Sequence, residues 1–259
     1  MSGIREKEGY IVDMDGVVYH GNTLLPGAAE FVNWLREKNK KFLFMTNNSA
    51  YSPRDLRQKL QTLGLDIEEK NFYTSALATA AFIKSQKSGA SAYIIGDAGL
   101  VTALYDAGVS TNDANPDYVI IGETKNYNFD CISKAARLVM NGAKLIGTNP
   151  DLTGPGENGI TPACKALVTP VEMVAGKQAY YIGKPNPLMM RTGLKILGCK
   201  PEDTAIIGDR MDTDIVAGLE AEIDTVLVLS GVTSMRTLKK FSYQPNYIFE
   251  GIGDIIKAD

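Results

Sequence analysis

Asp13 and Asp15 stand two positions apart at the end of the apolar run Tyr10-Ile11-Val12, and Gly16-Val17-Val18-Tyr19 follows them. In an extended strand residues i and i+2 project to one face, so both carboxylates can converge on one ligand beyond the carboxyl end of a sheet. Open α/β sheets bind ligands at that edge. Asp-Gly is also ordinary turn chemistry, so the pair alone does not separate a reaction centre from a strand-ending turn. Three later segments carry the residue types that phosphoryl chemistry on an aspartate requires. Thr46-Asn47-Asn48 closes a second apolar run with a hydroxyl and backbone N–H groups able to bind phosphate oxygens. Lys184, in Gly183-Lys184-Pro185-Asn186-Pro187, offers an ammonium that can neutralise phosphate and the nucleophilic carboxylate. Ile206-Ile207-Gly208 delivers Asp209 to another strand end, with Arg210-Met211-Asp212-Thr213-Asp214 behind it. Polar loop, solvated lysine and helix cap are the plain readings of these segments one by one. Their recurrence at successive strand ends makes them a set.

Mg²⁺ prefers oxygen ligands in an octahedron and retains waters, so Asp13, Asp209, the Asp15 carbonyl, phosphate and water are a sufficient shell. Asp212 is expected to cap the following helix and Asp214 to support the ligands from behind. His20 is the single histidine, which removes any histidine-rich metal site and leaves little scope for Ser-His-Asp or Cys-His catalysis. It reads as an exposed loop residue after Asp15.

The elements that must position these residues alternate. Strand patterns at Tyr10–Met14, Lys41–Met45, Ala92–Ile95, Pro116–Ile121, Ala143–Gly147, Ala179–Ile182, Thr204–Ile207 and Thr225–Leu229 are interleaved with helical ones. Those helices are expected at Ala28–Asn39, Pro53–Leu63, Gly99–Asp106, Phe129–Met140, Cys164–Ala175, Pro187–Leu197 and Asp212–Glu220. Such alternation implies an α/β fold with parallel sheets. Pro53 after Ser52 and Gly64 after Leu63 mark credible helix ends. The spacing predicts a discontinuous core, residues 1–74 and 179–259, interrupted by an inserted α/β domain over 75–178.

Composition narrows the function classes. The 259 residues are 44% hydrophobic, ample for real cores, and 27 basic against 30 acidic residues leave a net charge of -3. No Lys/Arg stripe points to a nucleic acid polymer. No stretch approaches the roughly 20 apolar residues of a membrane span, and the start Met1-Ser2-Gly3-Ile4-Arg5-Glu6-Lys7-Glu8 lacks a signal-peptide core, so a cytoplasmic protein is expected. Cys131, Cys164 and Cys199 are odd in number and far apart, which fits reduced, packed thiols. Gly154-Pro155-Gly156-Glu157-Asn158-Gly159 matches GxGxxG. It contains proline, does not join a strand to a helix, and has no acidic residue about 20 positions on, so dinucleotide binding is set aside.

As a set, Asp13-x-Asp15-Gly16, Thr46, Lys184 and Gly208-Asp209-x-x-x-x-Asp214 resemble the four ordered signatures of the haloacid dehalogenase superfamily of phosphatases. The long interval between Thr46 and Lys184 resembles the NagD-type (class IIA) branch, whose α/β cap is inserted there into a Rossmann-like core. Tyr73-Thr74-Ser75-Ala76, Asn115-Pro116-Asp117-Tyr118-Val119, Gly122-Glu123-Thr124 and Thr148-Asn149-Pro150-Asp151 are similar to its cap sequence. The resemblance implies Mg²⁺-dependent hydrolysis of small phosphomonoesters, with nucleoside 5′-monophosphates such as UMP and GMP leading. In that scheme Asp13 forms an aspartyl-phosphate, Asp15 is acid and then base, and Thr46, Asn47 and Lys184 hold the phosphoryl oxygens. Arg210, Met211, Asp212 and Thr213 are expected at the substrate, and Asn149 and Asp151 either face the leaving group or form structural turns. No organic cofactor is required, and any homo-oligomer is expected through the cap. A sugar-phosphate phosphatase or a phosphotransferase and, in another class, a non-catalytic phosphometabolite-binding protein are the alternatives.

Overall fold

The computed structural model describes residues 3–156 and 159–258. Its contacts divide the chain into two compact units, the first of residues 1–46, 57–73 and 184–259, the second of residues 47–56 and 74–183.

The first unit is built on a six-stranded sheet in the order Tyr247–Phe249, Asp224–Val228, Thr204–Gly208, Gly9–Val12, Lys41–Thr46, Phe72–Thr74. The four pairings from Tyr247–Phe249 across to Lys41–Thr46 are parallel. Gly9–Val12 and Thr204–Gly208 are buried at every position, the uniform apolar reading of central parallel strands covered on both faces. From Gly9–Val12 the chain builds outward through Lys41–Thr46 to one edge, then through Thr204–Gly208 to the other. The order therefore reverses at the central strand, the place where open α/β sheets bind ligands.

Helix Ala28–Glu37 carries an amphipathic stripe whose Phe31, Val32 and Leu35 are buried, each worth about 1.5–3 kcal/mol. Its Phe31 and Trp34 rings pack on Tyr10 at centroid distances of 5.9 and 5.7 Å, and the buried Tyr10 hydroxyl donates to Ile4 O. Helix Pro187–Leu197 begins with an Asn186 side chain accepting from Leu188 N, has proline at its first position and stops at Gly198 in the left-handed region. That cap fixes the chain immediately after Lys184.

The second unit holds a five-stranded sheet in the order Tyr180–Tyr181, Lys144–Gly147, Tyr118–Ile121, Ser91–Ile95, Ser110–Thr111, with every pairing parallel. Helices Phe129–Met140 and Cys164–Ala175 cover one face with Ala135, Val139, Val168 and Val171 against Val119 and Ile121. Tyr180–Tyr181 belongs to this sheet. The expected return to the first sheet at residue 179 is thus displaced to 184, because two tyrosines beside Lys144–Gly147 complete an edge. Thr153–Gly156 and Gly159–Pro162 form an antiparallel hairpin, and Glu157 and Asn158 of the GxGxxG match lie outside the described residues.

Sequence reading did not anticipate helix Ser75–Gln86. Its Ser75, Ala76, Ala78, Thr79, Ala80 and Ile83 are all buried, so the helix has no apolar stripe set against a polar one. Cys164 is buried, with its thiol donating to Ile121 O, and Cys131 and Cys199 are free and partly exposed. No helix among the described residues is long and apolar enough to cross a membrane.

Candidate active site

Asp13 follows the central strand directly, with its N–H donating to Ile207 O at 2.8 Å, so the ladder sets its direction. Thr46 ends the neighbouring strand on one side and Asp209 follows the neighbour on the other. Lys184 Nζ is buried among them. It donates to Asp13 Oδ1 at 2.6 Å, Asp214 Oδ1 at 2.7 Å and Met45 O at 3.0 Å. Asp13, Asp209 and Asp214 present oxygens that all lie within 4.8 Å of one another. Residues separated by some 200 positions of chain thus meet at the carboxyl end of the central strands.

Close backbone approach makes this possible. Gly16 has φ +80°, where a side chain is strained, and a Cβ there would stand 2.6 Å from Asp209 Oδ2. At Gly208 a Cβ would lie 2.2 Å from the Asp214 Cβ, and at Gly231 one would lie 2.0 Å from Asp209 Oδ2. Asp209 Oδ2 accepts from Val232 N at 2.6 Å. Its Oδ1 is buried with no hydrogen-bond partner among the described residues.

The electrostatics follow from crowding. Three carboxylates face one ammonium, an excess of two negative charges in a region sealed from water. Burial raises the Asp13 carboxyl well above the ordinary aspartate range, with Lys184 pulling it down and Asp214 and Asp209 pushing it further up. Burial, then the Asp214 charge, pushes Asp209 up to about 7 against the Val232 N–H, Lys184 and Arg210. Burial works to discharge Lys184, yet Asp13 and Asp214 hold its pKa above the usual lysine value. Such a centre needs a cation or protons. An all-oxygen donor set with an unpartnered buried carboxylate oxygen fits a hard divalent cation such as Mg²⁺.

Asp15 is not among the three carboxylates that converge within 4.8 Å, though the Lys184 charge acts on it too. Its Oδ2 accepts from the Tyr19 hydroxyl at 3.1 Å, and burial raises its carboxyl despite the opposing Lys59, Tyr19 and His20. His20 itself is exposed, as expected.

The segment after Asp209 departs from expectation in two places. Met211–Ile215 is a π-helical turn running into helix Val216–Glu220. Asp212 does not cap it: its exposed carboxylate pairs with the Arg210 guanidinium at 2.8 Å. Asp214 ties the turn instead, with Oδ2 accepting from Arg210 N at 3.1 Å. Met211, expected at the substrate, is 1% exposed and packs with Ile215, Leu227 and Leu238, because the π turn directs it into the core. Thr213 is buried as well.

Asn47, Asn149 and Asp151 lie in the second unit. Asn47 Nδ2 donates to Asp151 Oδ2 at 3.0 Å, and the buried Asn149 amide donates to Asn47 O at 2.6 Å and to Glu123 Oε1. These long-range bonds tie together the loops of Asn47, Glu123 and residues 149–151 within the second unit. Glu123 was not singled out in sequence. Its enclosed carboxyl accepts from Ser49 N at 3.0 Å, from Ser49 Oγ and from the Asn149 amide, and burial raises its pKa against those donors. Tyr19, Lys59 and Val232 were also unanticipated. Only Val232 had a sequence signal, the Ser230-Gly231 turn after an apolar strand.

Family models of haloacid dehalogenase-like hydrolases match residues 10–110, and HAD-hydrolase-like ones residues 181–255. The chain is 45% identical to dihydroxyacetone phosphatase of Corynebacterium glutamicum, with 95% of this chain and 90% of that protein covered. It is 42% identical to ribonucleotide monophosphatase NagD of Escherichia coli, with 95% and 96% covered. The solved structure of NagD from E. coli K-12 superposes with a TM-score of 0.90 at 40% identity, covering 96% of this chain and 98% of that one. The fold, the site and these likenesses together place the chain in the haloacid dehalogenase-like hydrolases, as a NagD-like phosphatase acting on phosphoric monoesters.

Proposed function

We propose that the chain is a Mg²⁺-dependent hydrolase of small phosphomonoesters that works through an aspartyl-phosphate on Asp13, with nucleoside 5′-monophosphates such as UMP and GMP as its leading substrates. The observation that carries the reading is the buried cluster of Asp13, Lys184, Asp209 and Asp214 at the reversal of strand order. Asp13 and Asp209 with the Asp15 carbonyl would hold the metal, which supplies charge neutralisation at the phosphoryl oxygens.

An Asp13 carboxylate oxygen attacks phosphorus, the bond to the leaving oxygen breaks, and Asp15 gives that oxygen its proton. Water then attacks the phosphoryl group, Asp15 takes the water proton, and the bond to Asp13 breaks to release phosphate. Lys184, the Thr46 hydroxyl and the Asn47 N–H stabilise charge on the phosphoryl oxygens in flight. The raised Asp15 pKa supports its alternation between acid and base. Asp214 holds Lys184 in place, and Arg210, Asp212 and Thr213 stand on the turn beside Asp209.

In this reading the first unit is the catalytic core and the second the cap that selects the leaving group. The cytoplasm is the place of action and the cap the surface of any homo-oligomer. The nucleotide preference is supported by the NagD relative, named a ribonucleotide monophosphatase. The relative named dihydroxyacetone phosphatase favours a second reading, a sugar-phosphate phosphatase or phosphotransferase built on the same intermediate.

Phosphate release from a panel of nucleotides and sugar phosphates with Mg²⁺ tests this, wild type against Asp13→Asn. The variant is expected to lose at least about 10³-fold in kcat, the scale on which covalent nucleophiles act. Turnover retained in Asp13→Asn would remove the nucleophile assignment. Added hydroxyl acceptors that divert phosphate away from release would favour the phosphotransferase.

A further inference from the structure

We propose that Tyr19 is a positioning residue for Asp15, its hydroxyl holding in one rotation the carboxyl that serves the leaving group. This rests on the assignment of Asp15 as general acid above.

The observation is a direct hydrogen-bond contact between the two side chains. The Tyr19 hydroxyl donates to Asp15 Oδ2 at 3.1 Å. While Asp15 is ionised the phenol is the donor, and when Asp15 is neutral either member of the pair can donate, so the contact is available in both states. The phenol thus fixes the carboxyl rotation in both states.

The fold holds Tyr19 tightly enough for that role. Its side chain is 2% exposed, its backbone carbonyl accepts from Gly16 N at 2.8 Å, and a parallel bridge joins it to Asp15. The residue, four positions after the acid, begins the small antiparallel hairpin of Tyr19–His20 with Thr23–Leu24. On the ring's face, Lys59 Nζ stands 3.7 Å from the centroid. A cation over the ring restrains its tilt and makes the phenol a better donor. Lys59 is half-buried, and the Asp15 charge opposes the lowering of its pKa by burial, so the three groups form one electrostatic unit.

A mispositioned acid harms substrates in proportion to how much their leaving oxygen needs a proton. The test is therefore kcat/KM for phenyl phosphate and p-nitrophenyl phosphate, which share a ring but differ in leaving-group basicity. This quantity covers the steps up to departure of the phenol, before water attacks the intermediate. In Tyr19→Phe the ratio of kcat/KM on p-nitrophenyl phosphate to that on phenyl phosphate should rise roughly fivefold, a fraction of the 10²–10⁴ that a placed general acid contributes. Because both values come from one preparation, the ratio is independent of how much of the variant is folded. An unchanged ratio, whether both rates fall together or neither falls, overturns the proposal. Asp15→Asn separates this failure from that of the underlying assignment: a wild-type ratio there removes Asp15 as the acid. A raised ratio in Asp15→Asn with none in Tyr19→Phe removes only Tyr19.

Discussion

Lys184 decides whether the site is a stable arrangement or a repulsive one. Among the described residues its ammonium is the cation that donates to both the Asp13 and Asp214 carboxylates, and it also donates to Met45 O. Removing one partner of a buried ion pair leaves uncompensated charge, a loss of roughly 3–5 kcal/mol. Lys184→Met is therefore expected to lower the unfolding free energy by about that amount in urea denaturation with chelator present. A loss below about 1 kcal/mol would mean that the carboxylates discharge by taking up protons instead. The types and order of Asp13, Thr46, Lys184 and Asp209 were readable in the chain because each follows an apolar run. Tyr19 and Lys59 were not, because a phenol in a hairpin and a lysine on a helix look like any others until the fold brings one over the other.

At the level of elements, the segment that leaves the Thr46 strand is anchored in the second unit by Glu123. Ser49, Asn149 and Asn47 converge on one network around this carboxyl. Burial raises the Glu123 pKa, so folding favours the protonated acid. The contribution to stability is then complete below the unfolded value of about 4.3 and is lost as pH rises through the higher folded value. Thermal melts between pH 4 and pH 8 should show wild type losing stability relative to Glu123→Gln as pH rises through this window. Parallel curves would show that the Ser49 and Asn149 donors offset the burial. Helix Ser75–Gln86 escaped a reading based on periodicity because its buried face is mostly Ser, Thr and Ala, which carry little hydrophobic contrast with the rest. Met211 and Asp212 were misassigned because a π turn shifts side-chain directions relative to an α-helix beginning at Asp212.

For the molecule as a whole, cation binding and folding are linked. Three carboxylates against one lysine are a charge imbalance that the folded state alone concentrates, so a divalent cation should bind the native chain in preference to the unfolded one. Mg²⁺ added to chelator-treated protein is expected to raise the melting temperature. At a hundredfold excess over Kd the linkage is worth about 2.7 kcal/mol. The shift should vanish in Asp209→Asn, whose Oδ1 has no other partner among the described residues. An equal shift in the variant would place the cation elsewhere.

The sequence by itself determined the α/β alternation, the order of the four site segments and the long interval before Lys184. These depend on local periodicity and on which residues end apolar runs, and both are one-dimensional properties. The tertiary structure decided that Tyr180–Tyr181 joins the second sheet, that Asn47 packs with Asn149 and Asp151, and that Glu123 rather than either amide is the hub. It also decided that Asp214 braces Lys184 while Asp15 is held by Tyr19. Those choices depend on which distant groups share a buried volume and must satisfy one another's hydrogen bonds and charge, a condition that no spacing along the chain expresses.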